Sequence, residues 1–268
     1  MNVREDTLSR CCSSLYELPL TALLLGDSFH PGGIALTKRL AEMAFVGPDD
    51  RVLDVACGTG MTAHALTQEF GAKVVGIDYS ASLIDRANQH GISPDYRCRP
   101  RFCQASVLRL PIQSASQDIV FCECALCTFP DPMLALVEFF RVLRPGGRLA
   151  ISDITIDKPV PASLQNILSH NICVAGAKSV NQYQSMIAKT GFANIRAQTT
   201  DHVLLEMLER IERQLQLGEV ILEMQRLKLP EQGPETRQTL VEAREFLSSG
   251  GAGYALITAR KPGKLSPG

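Results

Sequence analysis

The stretch "FCECALCTFPDP" places Cys122, Cys124 and Cys127 within six positions, at the end of an apolar run. Thiols so spaced can pack as small hydrophobes, ligate zinc, exchange disulfides or hold a thiophilic substrate. A second stretch, "DVACGTG", also follows an apolar run. Its Gly58 and Gly60 permit a tight turn and let a ligand approach the backbone at a helix N-terminus. With Ala63 the spacing satisfies Gly-x-Gly-x-x-Ala, a dinucleotide pattern that is weak alone. Asp78 ends the next apolar run, eighteen residues past Gly60, where a carboxylate can accept from both hydroxyls of a ribose.

Asp54 separates the cofactors that could use this loop. An acid ahead of the glycines repels a pyrophosphate, but it suits a phosphate-free nucleoside carrying an ammonium and a sulfonium. That mismatch favours S-adenosyl-L-methionine over a nicotinamide dinucleotide. Two rival readings remain open: an NAD-dependent oxidoreductase resting on the glycine pattern, and a cofactor-binding sensor without turnover.

These residues need a scaffold, and the chain supplies alternating patterns. "RVLDVA", "KVVGIDYS", "PRFCQAS", "SQDIVFCE" and "GGRLAISDI" read as successive strands. "MTAHALTQEFG", "ASLIDRANQHG" and "DPMLALVEFFRVLR" read as the helices between them. Such alternation predicts an α/β fold, a Rossmann-like doubly wound sheet covered by helices on both faces. Two further strands, "FANIRAQTT" and "GYALITARK", flank a long amphipathic helix expected to stop at Pro230. The expected organisation is an N-terminal helical cap (1–47), a cofactor-binding core (48–200), a helical insertion (201–250), a last strand (251–262) and a tail (263–268). The helix near 202–229 has three candidate uses: packing on its own domain, homodimer contact, or a lid.

The segments "VLDVACGTG", "VVGIDYS", "QASVLRLPIQSASQDIVFCE" and "FFRVLRPGGRLAISD" resemble, in order, the motifs of class I S-adenosylmethionine-dependent methyltransferases. The likeness covers about residues 40–200. It implies a seven-stranded sheet whose last strand is antiparallel, with S-adenosyl-L-homocysteine as product. By position it assigns Asp54, Ala56, Gly58 and Gly60 to the methionine part of the cofactor, and Asp78 and Tyr79 to the ribose. Ala105 and Ser106 fall near the adenine, Ser106 standing where the family often has an acid. Cys122 and Glu123 would face the cofactor's far side. Read from its own residues, the polar turn "GDSFHPGG" is either a capped turn between helices or part of an N-terminal lid over the cofactor, with His30 near the acceptor and Tyr16 stacked nearby.

Within that class the cysteines resemble those of arsenite methyltransferases. Cys124 follows the fourth strand, where that subgroup has an Asn-Cys-Val context; here Glu123 replaces the Asn. Cys173, in "SHNICVAGAKSVNQYQSMIAKTGF", precedes a small-residue pair and a helix ending in Gly-Phe, as in the subgroup. Cys124 and Cys173 would then be ligands of trivalent arsenic as substrate, with Cys11 or Cys12 as a third. Arsenic(III) is soft and prefers thiolates, which it deprotonates on binding. Its lone pair needs no general base. If the acceptor is instead an organic O, N or C group, His30 in "GDSFHPGG" is the candidate base, because imidazole titrates near neutrality. His64, on the first helix of the core, is expected at the surface.

Composition narrows the partners. The 268 residues carry 27 basic and 28 acidic side chains, a net charge of −1, and 45% hydrophobic residues with mean hydropathy +0.04. A chain so balanced has no global attraction to nucleic acid or anionic membrane. No apolar run reaches transmembrane length, and "MNVREDTLSRCC" lacks the apolar region of a signal peptide. A cytoplasmic enzyme with a small-molecule substrate is expected. Nine cysteines, an odd number, disfavour a disulfide framework.

Overall fold

The computed structural model describes residues 30–89, 99–164, 176–200, 202–224 and 234–263. Seven strands form one sheet: β1 (Arg51–Val55), β2 (Lys73–Asp78), β3 (Arg101–Gln104), β4 (Gln117–Glu123), β5 (Leu143–Ile156), β6 (Ala193–Thr199) and β7 (Ala252–Arg260). Their spatial order is β3-β2-β1-β4-β5-β7-β6. The first five strands run parallel, and β7 lies antiparallel to both β5 and β6. This is the expected doubly wound sheet with an antiparallel last strand. Chain order reverses between β1 and β4, so the crevice that such sheets use for ligands opens beyond the carboxyl ends of those two strands.

The helices are α1 (Gly33–Met43), α2 (Met61–Phe70), α3 (Ala81–Gln89), α4 (Pro132–Val142), α5 (Val180–Lys189), α6 (His202–Met224) and α7 (Pro234–Ser248). Local signals set their ends. Asp131 caps α4 by accepting from the Leu134 amide at 2.9 Å, with Pro132 in the first turn. Ser179 and Gln182 form a reciprocal capping box on α5. Gly71, at φ 70°, terminates α2.

Two hydrophobic layers cover the sheet. On one face Leu36, Leu40 and Ala41 of α1 pack with Val52, Phe121, Tyr254, Val203 and Phe246. On the other, Leu136 and Phe139 of α4 and Tyr183 and Ile187 of α5 pack with Leu53, Val120, Ile151 and Ile257. The α1 helix, read in the sequence as cap, therefore shares the core of the sheet. The long helix expected up to Pro230 is described as α6 over His202–Met224, residues 225–233 lying outside the described ones, and α7 is an additional helix. Arg244 of α7 pairs with Glu209 and Glu212 of α6 at 3.3 and 2.6 Å, and Val203, Leu204 and Leu208 are buried. The first turns of α6 thus pack on their own domain. Among the described residues no helix is long and apolar enough to cross a membrane.

Candidate active site

The loop after β1 is wound tightly. Ala56, Gly58 and Gly60 take φ values of 58°, 53° and 80°, in the left-handed region that costs a Cβ-bearing residue about 1–2 kcal/mol. Gly60 answers to packing as well as to ligand approach. A Cβ there would lie 2.6 Å from the Phe102 ring and 3.1 Å from Ala87. His64, one turn along α2, sits against the same Phe102 ring with centroids 5.6 Å apart, so it is not the surface residue expected.

Two carboxylates bracket the loop. Asp78 accepts from the Gly58 and Ser80 amides, both at 2.9 Å, tying the loop to the end of β2. Asp54 is buried, accepts the Ala63 amide, and leaves Oδ2 without a partner among the described residues. Burial first, then the charges of Glu123 and Asp78, push its carboxyl well above the usual range.

Glu123 completes this acidic group from the end of β4. Its Oε2 accepts from Thr62 of α2 at 2.7 Å and Thr37 of α1 at 3.0 Å, and lies 3.7 Å from His30 Nε2. His30 is buried. Its Nδ1 faces the Pro31 carbonyl at 3.1 Å, an acceptor only, so Nδ1 donates and Nε2 faces Thr37 at 3.3 Å. Ser152 hydroxyl stands 3.5 Å from Glu123 Oε1 and 2.9 Å from the Tyr254 hydroxyl.

The remaining residues singled out in the sequence divide by the alternation of the strands. Cys122 precedes Glu123 on β4 and therefore points to the opposite face, fully enclosed with Leu53, Val55 and Ile77. Cys124 turns away at φ 50°, donates its amide to the Ser152 carbonyl at 2.7 Å and packs against the α1-side core. Burial, then Asp153, raises its thiol despite the hydrogen bond with Tyr254. The Cys127 amide donates to Asp153 Oδ2 at 2.9 Å. Among the described residues no group of three or more His, Cys, Asp or Glu side chains is arranged to hold a metal ion. Tyr79 offers its carbonyl to Gln104 Nε2 at 2.9 Å, and the Ala105 amide bonds the Asp78 carbonyl. Ser106 Oγ accepts the Leu108 amide at 3.3 Å, bending the loop after β3. Cys173, Tyr16, Cys11 and Cys12 lie outside the described residues.

Sequence reading did not pick out Thr37, Thr62, Ser152, Tyr254 or Asp153. Only Asp153 carried a signal, a carboxylate inside the apolar run "AISDITI".

A glycine turn at the strand-order reversal, ringed by three buried carboxylates with one oxygen unpartnered, fits a cationic nucleoside. Fold and site together define a class I methyltransferase built around S-adenosylmethionine. The chain belongs to the family described as "Methyltransferase domain", which matches residues 47–191, and it is an S-adenosylmethionine-dependent methyltransferase. The 27-O-demethylrifamycin SV methyltransferase of Amycolatopsis mediterranei is 32% identical over 85% of this chain and 83% of its own length. An arsenite methyltransferase of Halobacterium salinarum is 31% identical over 63% of this chain and 43% of its own. Haemonchus contortus phosphoethanolamine N-methyltransferase 2, solved with phosphomonomethylethanolamine and S-adenosylhomocysteine, superposes at TM-score 0.78 with 21% identity. It covers 98% of this chain, which spans 61% of that longer protein.

Proposed function

We propose that the methyl acceptor is a hydroxyl of a small organic molecule. The observation that carries this reading is the His30–Glu123 pair, 3.7 Å apart at the end of β4. S-adenosylmethionine supplies an electrophilic methyl on a sulfonium; a hydroxyl acceptor must also lose a proton, so it needs a base. Among the described residues His30 Nε2 has only long contacts, to Thr37 and Glu123, and an acceptor hydroxyl can replace the first. Glu123, held by Thr37 and Thr62, then stabilises the imidazolium that forms. Asp54 and Glu123 favour the cofactor's positive charge, while Asp78 receives its ribose and fixes the loop.

Trivalent arsenic remains the second reading, supported by Cys124 and by the likeness to the haloarchaeal enzyme over part of both chains. The raised Cys124 thiol and its packed surroundings weigh against it, as does the greater reach of the match to the rifamycin enzyme, whose named substrate carries a demethylated oxygen.

The test is methyl transfer from labelled S-adenosylmethionine to a panel of hydroxylated organic compounds and, in parallel, to arsenite with a thiol reductant. The expected product is an O-methylated compound, with kcat lowered about 10²- to 10⁴-fold in His30→Ala. Methylated arsenic formed by the wild type and lost in Cys124→Ser would overturn the proposal.

A further inference from the structure

At the opposite end of the strands from the glycine loop lies a cleft of about 490 Å³ whose walls include Phe45, Arg144, Arg148, Asn194, Arg196 and Arg260. No lining residue is acidic. The distance from the active site follows from register: Ser152 stands beside Glu123, and Arg148 is four residues earlier on β5, about 13 Å along the strand.

The arginines are stacked by pairing. Arg148 of β5 is directly opposite Arg260 of β7, and Arg196 of β6 is opposite Thr258, two residues from Arg260 on the same face. Like charges directly opposite in a sheet repel. Arg148 is neutralised by Asp50 at 2.6 Å and also caps the end of α1 through the Ala44 and Phe45 carbonyls. Arg144 pairs with Asp118, which it shares with Arg51. Among the described residues Arg260 donates only to the Gly146 carbonyl, at 3.1 Å. Among the described residues neither Arg196 nor Arg260 pairs with a carboxylate.

Phe45 gives a second, independent indication. Its amide bonds Glu42 O and the Val46 amide bonds Ala41 O, the helix-ending pattern whose left-handed position is normally glycine. Phe45 holds that position at φ 53° and leaves 73% of itself exposed. Backbone and solvent both disfavour a phenyl ring there, and the ring forms a wall of the arginine cleft.

We infer that this cleft is a second ligand site, binding a phosphorylated small molecule with a planar ring, of the nucleoside diphosphate class. The forked guanidiniums of Arg196 and Arg260 match phosphate oxygens, Phe45 offers a stacking face, and the volume lies in the range of small-molecule pockets. The site is distinct from the methyl-transfer centre, so both can be filled together.

Guanosine diphosphate is the probe, titrated into the full chain by calorimetry with saturating S-adenosylhomocysteine to block the first site. Saturable binding is expected, weakening as salt rises. Arg196→Ala with Arg260→Ala should lower affinity at least tenfold and keep methyl transfer. Phe45→Gly relieves the left-handed strain, so it should raise the melting temperature while lowering affinity severalfold. Inorganic pyrophosphate should compete and guanosine alone should bind more weakly. A flat titration, or affinity unchanged in both variants, would overturn the inference.

Discussion

Leaving a buried carboxylate oxygen without a donor costs stability; Asp54 Oδ2 has no donor among the described residues, and a cationic ligand there would offset that cost. Below its raised pKa the side chain is neutral and cannot pair with a cation; above it, it can. Affinity for S-adenosylhomocysteine, which keeps the ammonium, should therefore rise with pH through that range. Asp54→Asn should weaken binding about tenfold or more, roughly 1.4 kcal/mol per decade, and flatten the pH dependence, as calorimetry at several pH values would show. Equal slopes in variant and wild type would remove Asp54 from cofactor binding. Asp54 stood out in the sequence as a candidate because an acid before glycines conflicts with a pyrophosphate. The donors around Glu123 were not, because Thr37 and Thr62 reach it from helices α1 and α2 whose approach depends on the whole packing. Chemistry was readable where one short segment contains it.

The elements show the same division. β1 to β5 and their helices were legible as apolar runs separated by glycine and proline. The helix α7 was not, because "PETRQTLVEAREFLS" is mostly polar and its few apolar residues mark no clear face. Gly60 was legible as a turn, but its contact with Phe102 joins α2 to β3 and appears only in three dimensions. Gly60→Ala should cost about 1–2 kcal/mol for backbone strain and a further 1–3 kcal/mol for overpacking. Chemical denaturation should show Phe102→Ala relieving only the second part when both variants are combined. On β5, Asp153 is pushed up to about 6, mainly by burial, while the Cys127 and Ile154 amides and the Cys127 thiol hold it down. Because the folded value exceeds the ordinary 3.8, the native state binds more protons between the two. This group's contribution to stability is full below about pH 4 and lost as pH rises through 6, at most about 3 kcal/mol. Asp153→Asn should remove that slope from melting curves recorded across the same window, at the expense of one amide partner.

At the scale of the molecule, Glu123 is where the cofactor crevice meets α1: Thr37 and His30 reach it from that helix and its approach, Thr62 from α2. A ligand that engages this carboxylate should therefore also tighten α1 on the sheet. Saturating S-adenosylhomocysteine should stabilise the fold by about 2.7 kcal/mol at a hundred times its Kd. Hydrogen exchange should slow in α1 as well as in the glycine loop. Protection confined to the loop would show that α1 is not coupled.

The position of β7 carries a consequence for biosynthesis. It is threaded between β5 and β6, hydrogen-bonded to both, yet it leaves the ribosome after β6, α6 and α7. Until it emerges, β5 has a bare edge and β6 has no neighbour to join, so translation stalled before Ala252 would present two sticky borders to other chains. Nascent copies should consequently depend on chaperone shielding during that interval, and premature stops in α7 should yield insoluble product rather than a smaller working enzyme.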